Sequence, residues 1–473
     1  MFQHFLVQDE HVAPLAEGVL TTLERVGVLC QNEELTEALG AAGAAVERGA
    51  QRVRFPRPMV EAFVADLRAE FATAAAPAPG PLRPSGLPGV GGQVAQLYHD
   101  FETGEVRSAN SRDFVTLLQL GEALHGEQGV GHALAVTDVP PILEPLHSAL
   151  LLAEYTTHPA GTFAWHVDQI PWLVEMGQIL GRENWFSWGA ICFAHPLRFD
   201  RDTAAKLVAR VRHGQSAGLT AMPVAGVTTP VTVEGFVVVA AAEFLATWLA
   251  GRALDPHIPL YGSMWPGTVD MRSGAVSYSN PDSIFYGCAC CEFVRRWTGV
   301  RLVMGGSEYC DAREPSLYAG LEKALKAMMI SAFTGQPLGS GGGMVDEGKV
   351  LSPLQLLIDR EYAIAMNHLT GALEPTPERI ALDEILAVDL GLHLNHLQTD
   401  HTLRYLRQSL WLPELMDRSG WSAELEGRVL ERMRGRIREL LASYRKPEGR
   451  EEQLAAMREV FARAKQALLG RGG

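Results

Sequence analysis

Between about residues 94 and 352, short apolar runs alternate with longer stretches of helical periodicity, and no other feature of the sequence restricts the fold as much. Candidate strands fall at 94–98, 133–137, 150–156, 188–193, 217–222, 258–262 and 301–304, with an eighth within 332–343. Helical patterns separate them at 113–124, 202–213, 232–249, 283–297 and 317–330. Such alternation builds either a closed (β/α)8 barrel or an open doubly wound sheet, and a count near eight favours the α/β TIM barrel. On either side the texture changes. Residues 1–71 read as a helical region, with apolar positions at Leu15, Val19, Leu20, Leu23 and Val26 and a stop at Gly27. Residues 72–93 are rich in Pro and Gly and cannot sustain a helix or a central strand, so they read as a linker. Residues 353–473 read as a helical cap, which leaves 94–352 for the barrel.

Composition removes several function classes. The net charge of −14 opposes nucleic-acid and anionic-membrane binding, which need excess Lys and Arg. Six cysteines in 473 residues are too few for a disulfide framework, which suggests a reducing, cytoplasmic setting. The first residues, MFQHFLVQDEHVAP, lack the apolar core of a signal peptide. The longest apolar run, 236–249, contains Glu243 and is too short to span a bilayer.

In a barrel the chemistry gathers where strands end. Glycines and polar residues follow the candidate strands at 223–226, 261–263 and 305–308, and aromatic residues collect in the same zones. Phe193, Tyr261, Trp265 and Tyr309 are the candidate cage for a quaternary ammonium, a cation that cannot donate a hydrogen bond and is held by ring faces. Glu308, Asp311 and Arg313 are the candidate polar and catalytic partners, with Arg313 able to meet a carboxylate bidentately. The alternative reading of Arg313 is a salt bridge to Asp311 or Glu314. His166 and Asp168 follow another candidate strand, where a solvated loop explains them equally well, and His158 and His195 lie near by. Cys288, Cys290 and Cys291 share a predicted helix at a spacing that puts at most two on one face. No metal set is therefore assigned, and Cys310, beside Glu308 and Asp311, is the remaining metal candidate.

Several segments together resemble the trimethylamine methyltransferase family, in its branch without pyrrolysine. They include MPVAGVTTPVTVEGFVVVAAAEFLA, YGSMWPGTVDMRSG, YSNPD, GGSEYCDAREPSLYAGLEKAL, MVDEGKVLSPLQLLIDREY and HTLRYLRQSLWLPELMDR, and the resemblance covers nearly the whole chain. It implies a TIM barrel that moves a methyl group from a small methylated amine, quaternary in this branch, such as a betaine. The acceptor it implies is a Co(I) corrinoid (cobalamin) carried by a separate protein; this chain has no D-x-H-x-x-G signature of its own. No tightly bound cofactor is expected, and a homo-oligomer is. The sequence departs from the family pattern at YGCACCEF, at SEYCDAR and around GQPLGSGGGMVDEG. Those departures keep two alternatives open: a zinc-dependent relative acting on a methylated thiol or alcohol through Cys310, and a non-catalytic betaine-binding relative.

Overall fold

The computed structural model describes residues 5–72, 82–188, 191–193, 196–339, 341–417, 420 and 422–470. The helices begin where short polar side chains can take up the free amides of a first turn. Asp200, Thr232, Asn280, Ser316 and Ser352 each accept from a backbone N–H three residues on. Two of those helices, Pro281–Thr298 and Leu317–Thr334, stop at Gly299 and Gly335, whose φ of +84° and +71° suits glycine. Both differ from their expected spans by no more than four residues at either end.

The strands are short and lie in five sheets of two to four strands. Val303–Met304, Leu260–Met264 and Ala217–Ala221 form a parallel sheet, with Leu260 opposite Ala217 and Met264 opposite both Ala221 and Met304. Parallel contacts also join Ala95 to Leu134, Val130 to Pro159, and Thr162–Phe163 to Phe186–Ser187. The architecture is mixed α/β, and among the described residues none of the sheets closes into a barrel, so the expected (β/α)8 closure is not seen in the strand pairing.

Three further expectations are corrected. Residues 150–156 are not a strand: Glu144–Tyr155 is a helix with Pro145 in its first turn. Its leucines and alanines favour a helix, and an apolar run of this length has no periodicity to separate the two states. The eighth strand is absent from 332–343; the preceding helix continues to Thr334, and strand Met344–Val345 pairs antiparallel with Val350–Leu351. Three consecutive positive-φ glycines, Gly341, Gly342 and Gly343, cannot hold a regular strand. The apolar run at 236–249 belongs to a longer helix, Val233–Leu254, which is long and apolar enough to cross a membrane by length and composition. Most of it is packed inside the protein, and Glu243 is fully buried with its carboxylate accepting from Leu197 N at 2.8 Å.

The N-terminal helices Asp9–Arg25, Glu33–Ala41 and Arg57–Glu70 pack on the central body. Val19 and Leu23 share one buried core with Phe236, Phe244 and Phe293, and Val28–Cys30 pairs in parallel with Arg198–Phe199. Sixteen residues from Pro353 to His368 form the helix that closes the far side, against Leu317–Thr334.

Candidate active site

Strand Leu260–Met264 runs directly into Trp265, whose N–H donates to Ala221 O at 2.8 Å and whose indole N–H donates to Ser263 Oγ at 2.7 Å. The neighbouring strand Val303–Met304 ends at Gly305, tied to Met264 O at 2.9 Å, and the chain then turns through Gly306 at φ +87°. That turn delivers Glu308 and Tyr309 beside Trp265. The Trp265 and Tyr309 rings lie 5.1 Å apart at 60°, and Tyr278 closes on Tyr309 at 6.2 Å and 72°. Glycine makes this packing possible. A Cβ on Gly305 would stand 2.3 Å from the Trp265 ring, and one on Gly348 2.2 Å from that of Tyr309. Gly305→Ala is expected to displace Trp265, cutting turnover and costing about 1–3 kcal/mol of stability; unchanged turnover would show that the ring's position does not matter.

Beside the aromatic trio lies a cavity of about 260 Å3. Its walls are loops of glycine, with Gly91 and Gly92 on one side and Gly339, Gly341 and Gly342 on the other. Gln93, Ser307 and Glu308 supply its polar side chains. No aromatic residue lines it directly, but Tyr309 stands one residue behind and donates its hydroxyl to Gln93 Oε1 at 3.4 Å. Burial pushes the Glu308 carboxyl up from the usual glutamate range, against the pull of Lys326, Lys323 and a hydrogen bond from Gln93. Among the described residues Glu308 has no ion-pair partner. A larger depression, about 480 Å3, is lined by Asp417, Arg428, Glu431 and Arg432. Both arginines there reach Asp417 at 3.5 Å, so its charges are matched.

Under the trio sits a second polar group. Lys326 is buried and donates to the carbonyl of Tyr278. Its ammonium lies 3.1 Å from where a Gly306 Cβ would be, a position glycine leaves open. Glu347 accepts from Ser279 Oγ at 3.2 Å, and Ser277 Oγ donates to Asp311 Oδ2 at 2.9 Å. Burial lowers Lys326 and raises Glu347, and Glu347 is raised further by sharing a hydrogen bond with Asp311. The attraction between Lys326 and Glu347 offsets part of both shifts. The whole group holds three carboxyls, Glu308, Asp311 and Glu347, around one ammonium.

Of the residues singled out from sequence, Trp265, Tyr309, Glu308 and Asp311 come together here. The others stand elsewhere. Tyr261 lies at the start of the strand that ends at Trp265, about 13 Å back along it at 3.3 Å per residue, and is 39% exposed. Phe193 is buried in the core, 4.4 Å from the Phe199 ring. Arg313 points to solvent, 3.8 Å from Asp346. His166 caps a short turn by accepting from Asp168 N at 3.2 Å, with its side chain nearly half exposed. Cys310 is fully buried against Ala319, Val345 and Val350, and burial pushes its thiol up to about 12. Cys288, Cys290 and Cys291 are buried in the core. Among the described residues no three His, Cys, Asp or Glu side chains are close enough to hold a metal ion. His195 lies outside the described residues.

Sequence reasoning missed Gln93, Lys326 and Glu347. Gln93 closes the stretch read as a linker. Lys323 and Lys326 stand three apart in a largely apolar helix whose other charge is Glu322, which is the one signal that marked them.

Comparison with known proteins adds the family. The family model for trimethylamine methyltransferase (MTTB) matches residues 3–469. The trimethylamine methyltransferase MttB of Desulfitobacterium hafniense (strain DSM 10664 / DCB-2) is 23% identical over 462 residues, covering 95% of this chain and 91% of that protein. The glycine betaine methyltransferase of Desulfitobacterium hafniense (strain Y51) is 24% identical over 457 residues, covering 93% of each. A match of this extent, from the N-terminal helices to the last helix, establishes that the chain belongs to the trimethylamine methyltransferase family, whose members are methyltransferases.

Proposed function

We propose that this enzyme demethylates a small quaternary amine of the betaine type and passes the methyl group to a corrinoid presented by a separate, cytoplasmic carrier protein. The observation that carries the reading is Glu308, a carboxyl on the cavity wall that forms no ion pair among the described residues and feels Lys326 and Lys323 only as more distant charges, next to the Trp265, Tyr278 and Tyr309 rings. A substrate cation would neutralise it, and the ring faces suit methyl groups that carry positive charge. The negative overall charge favours the approach of such a substrate.

The acceptor's Co(I) supplies the electron pair that takes the methyl carbon, and the C–N bond breaks with its electrons left on nitrogen. A quaternary nitrogen thereby leaves as a neutral tertiary amine, with no proton to be supplied. The work of this chain is to hold one methyl in line and to keep water away. Glu308 would fix the ammonium, Gln93 would hold Glu308, and the Trp265 and Tyr309 faces would orient the remaining methyls. Among the residues lining the cavity there is no histidine to serve as a cobalt ligand, which suits a corrinoid held by its own carrier. Gly92 and Gly342 leave nothing within 4 Å of a Cβ position, room that a flat ring approaching the rim would use. We assign no metal and no tightly bound cofactor to this chain.

We read the small sheets as arcs of one barrel. Five parallel links follow in chain order, 95 to 134, 130 to 159, 162 to 186 and the two pairings of Leu260–Met264, and a backbone hydrogen bond from Thr220 N to Ile191 O adds a contact between the third and fourth. Leu97–Tyr98 pairs in parallel with Val350–Leu351, and the cavity lies beside that pairing, lined by Gly91, Gly92, Gly339, Gly341 and Gly342.

The test is a methyl-transfer assay with a reduced corrinoid carrier and a panel of amines. Glycine betaine or a related quaternary amine is expected to yield its tertiary amine by mass spectrometry, and trimethylamine is not. Transfer from a methylated thiol or alcohol with none from any quaternary amine overturns the reading.

A further inference from the structure

After the helix Pro353–His368 the chain leaves the body and does not return until Glu414 and Leu415, whose backbone N–H groups reach the carboxyl of Glu361 on that same helix. Between those points run the short helices Pro377–Ile380 and Leu382–Val388 and the helix Asp400–Ser409. Asp400–Ser409 packs on the turn His396–Gln398 just before it, and none of the three helices packs extensively on the body. Yet the excursion is apolar. Thirteen leucines and isoleucines between 369 and 412 are exposed, among them Leu373 at 98%, Leu397 at 83% and Leu403 at 82%. Single exposed leucines need no explanation, but this density along one projecting segment does.

The body carries a matching surface. On the helix Leu317–Thr334, Tyr318, Leu321 and Leu325 are each more than half exposed and recur at i, i+3 and i+7, one stripe along one face. The neighbouring helix adds Ile364. One chain thus presents both a projecting apolar arm and an apolar helix face. Two copies related by a two-fold axis would cover both at once, which is the arrangement an isologous interface takes. The arm alone exceeds the roughly 20–30 residues a side found in a standard interface.

We propose that the arm at 369–412 is an exchange arm: in the assembled enzyme it lies on the Tyr318–Leu321–Leu325 face of a second copy of this chain, and the second copy returns the contact. The proposal does not rest on the methyl-transfer reading, because its readout is mass.

The experiment is analytical ultracentrifugation of the full chain and of two full-length double variants, L403E/L406E on the arm and L321E/L325E on the body helix. All four side chains are exposed in the single chain, so both variants should keep the parent's circular dichroism. The parent is expected to sediment as a dimer or a multiple of one. Each variant is expected to weaken self-association by at least about 100-fold, since each loses two buried leucines and inserts two charges. A monomeric parent at micromolar concentration overturns the proposal, as does either variant that assembles like the parent; the first outcome would leave the arm for a different protein.

Discussion

Glu308→Gln is expected to lower kcat/KM for a quaternary ammonium substrate by about 100-fold, mostly through KM, and at the same time to raise the melting temperature at pH 7. Both effects come from the same placement. A carboxylate and an ammonium about 4 Å apart attract by about 4 kcal/mol at an effective dielectric of about 20. After the desolvation each group gives up, ~2–3 kcal/mol remains for Gln to lose. The amide preserves the side chain's volume, so loss of the charge is what the kinetics read. The stability effect has the opposite sign. Burial raises the folded-state pKa of Glu308 above its unfolded value, so the folded state keeps the proton longer as pH rises. Stability that is present below the ordinary glutamate value is therefore lost as pH climbs through the raised one. A neutral amide escapes that loss. The gain in melting temperature should appear at pH 7 and vanish toward pH 4. Wild-type substrate binding should weaken with acid over the same interval, as Glu308 takes up its proton. A variant with unchanged kcat/KM, or one less stable than the parent at pH 7, rules out this role for Glu308.

Much of the fold was legible in the sequence where local chemistry decides it. Thr232, Asn280 and Ser316 cap helices that the apolar periodicity also marks, and Gly299 and Gly335 end two of them. Where tertiary packing decides, the sequence was ambiguous. Residues 150–156 and 217–222 both read as short apolar runs; the first packs as a helix and the second as a strand. Barrel closure is a long-range property, and strands of two or three residues carry little local signal for it.

The candidate site divides in the same way. Trp265, Glu308 and Tyr309 could be found because they follow strands directly, where the backbone dictates direction. Tyr261 could not be separated from Trp265, because its position depends on the strand running Leu260–Met264 rather than 258–262. Lys326 and Glu347 reach the site across 21 positions of sequence, from a helix and from a turn after it, and no local pattern joins them. Gln93 lay in a Pro- and Gly-rich stretch whose composition describes a loop and says nothing of what the loop lines.

Asp359→Ala is expected to destabilise the protein by about 3–5 kcal/mol, the cost of leaving one member of a buried ion pair without its partner. Lys323 and Asp359 are both buried, with Nζ 2.8 Å from Oδ2, and Asp359 has further duties. Its Oδ1 accepts from Gln355 Nε2 at 2.8 Å, and its Oδ2 accepts from Gly343 N at 2.9 Å. The last bond pins the glycine loop that walls the cavity, and a Cβ on Gly341 would stand 2.6 Å from Asp359 Cβ. Removing the carboxylate therefore strands the Lys323 ammonium and frees the loop in one step. The two consequences separate in a double variant. Lys323→Met with Asp359→Leu removes both charges and keeps the volume, so most of the melting temperature should return. The Gly343 amide still lacks its acceptor, so turnover should not recover in proportion. Thermal unfolding of the two variants beside the parent, with turnover measured on each, tests both halves. An Asp359→Ala protein that melts with the parent shows the pair to be dispensable, and a double variant with full turnover shows that the carboxylate's hold on the loop does not matter to catalysis.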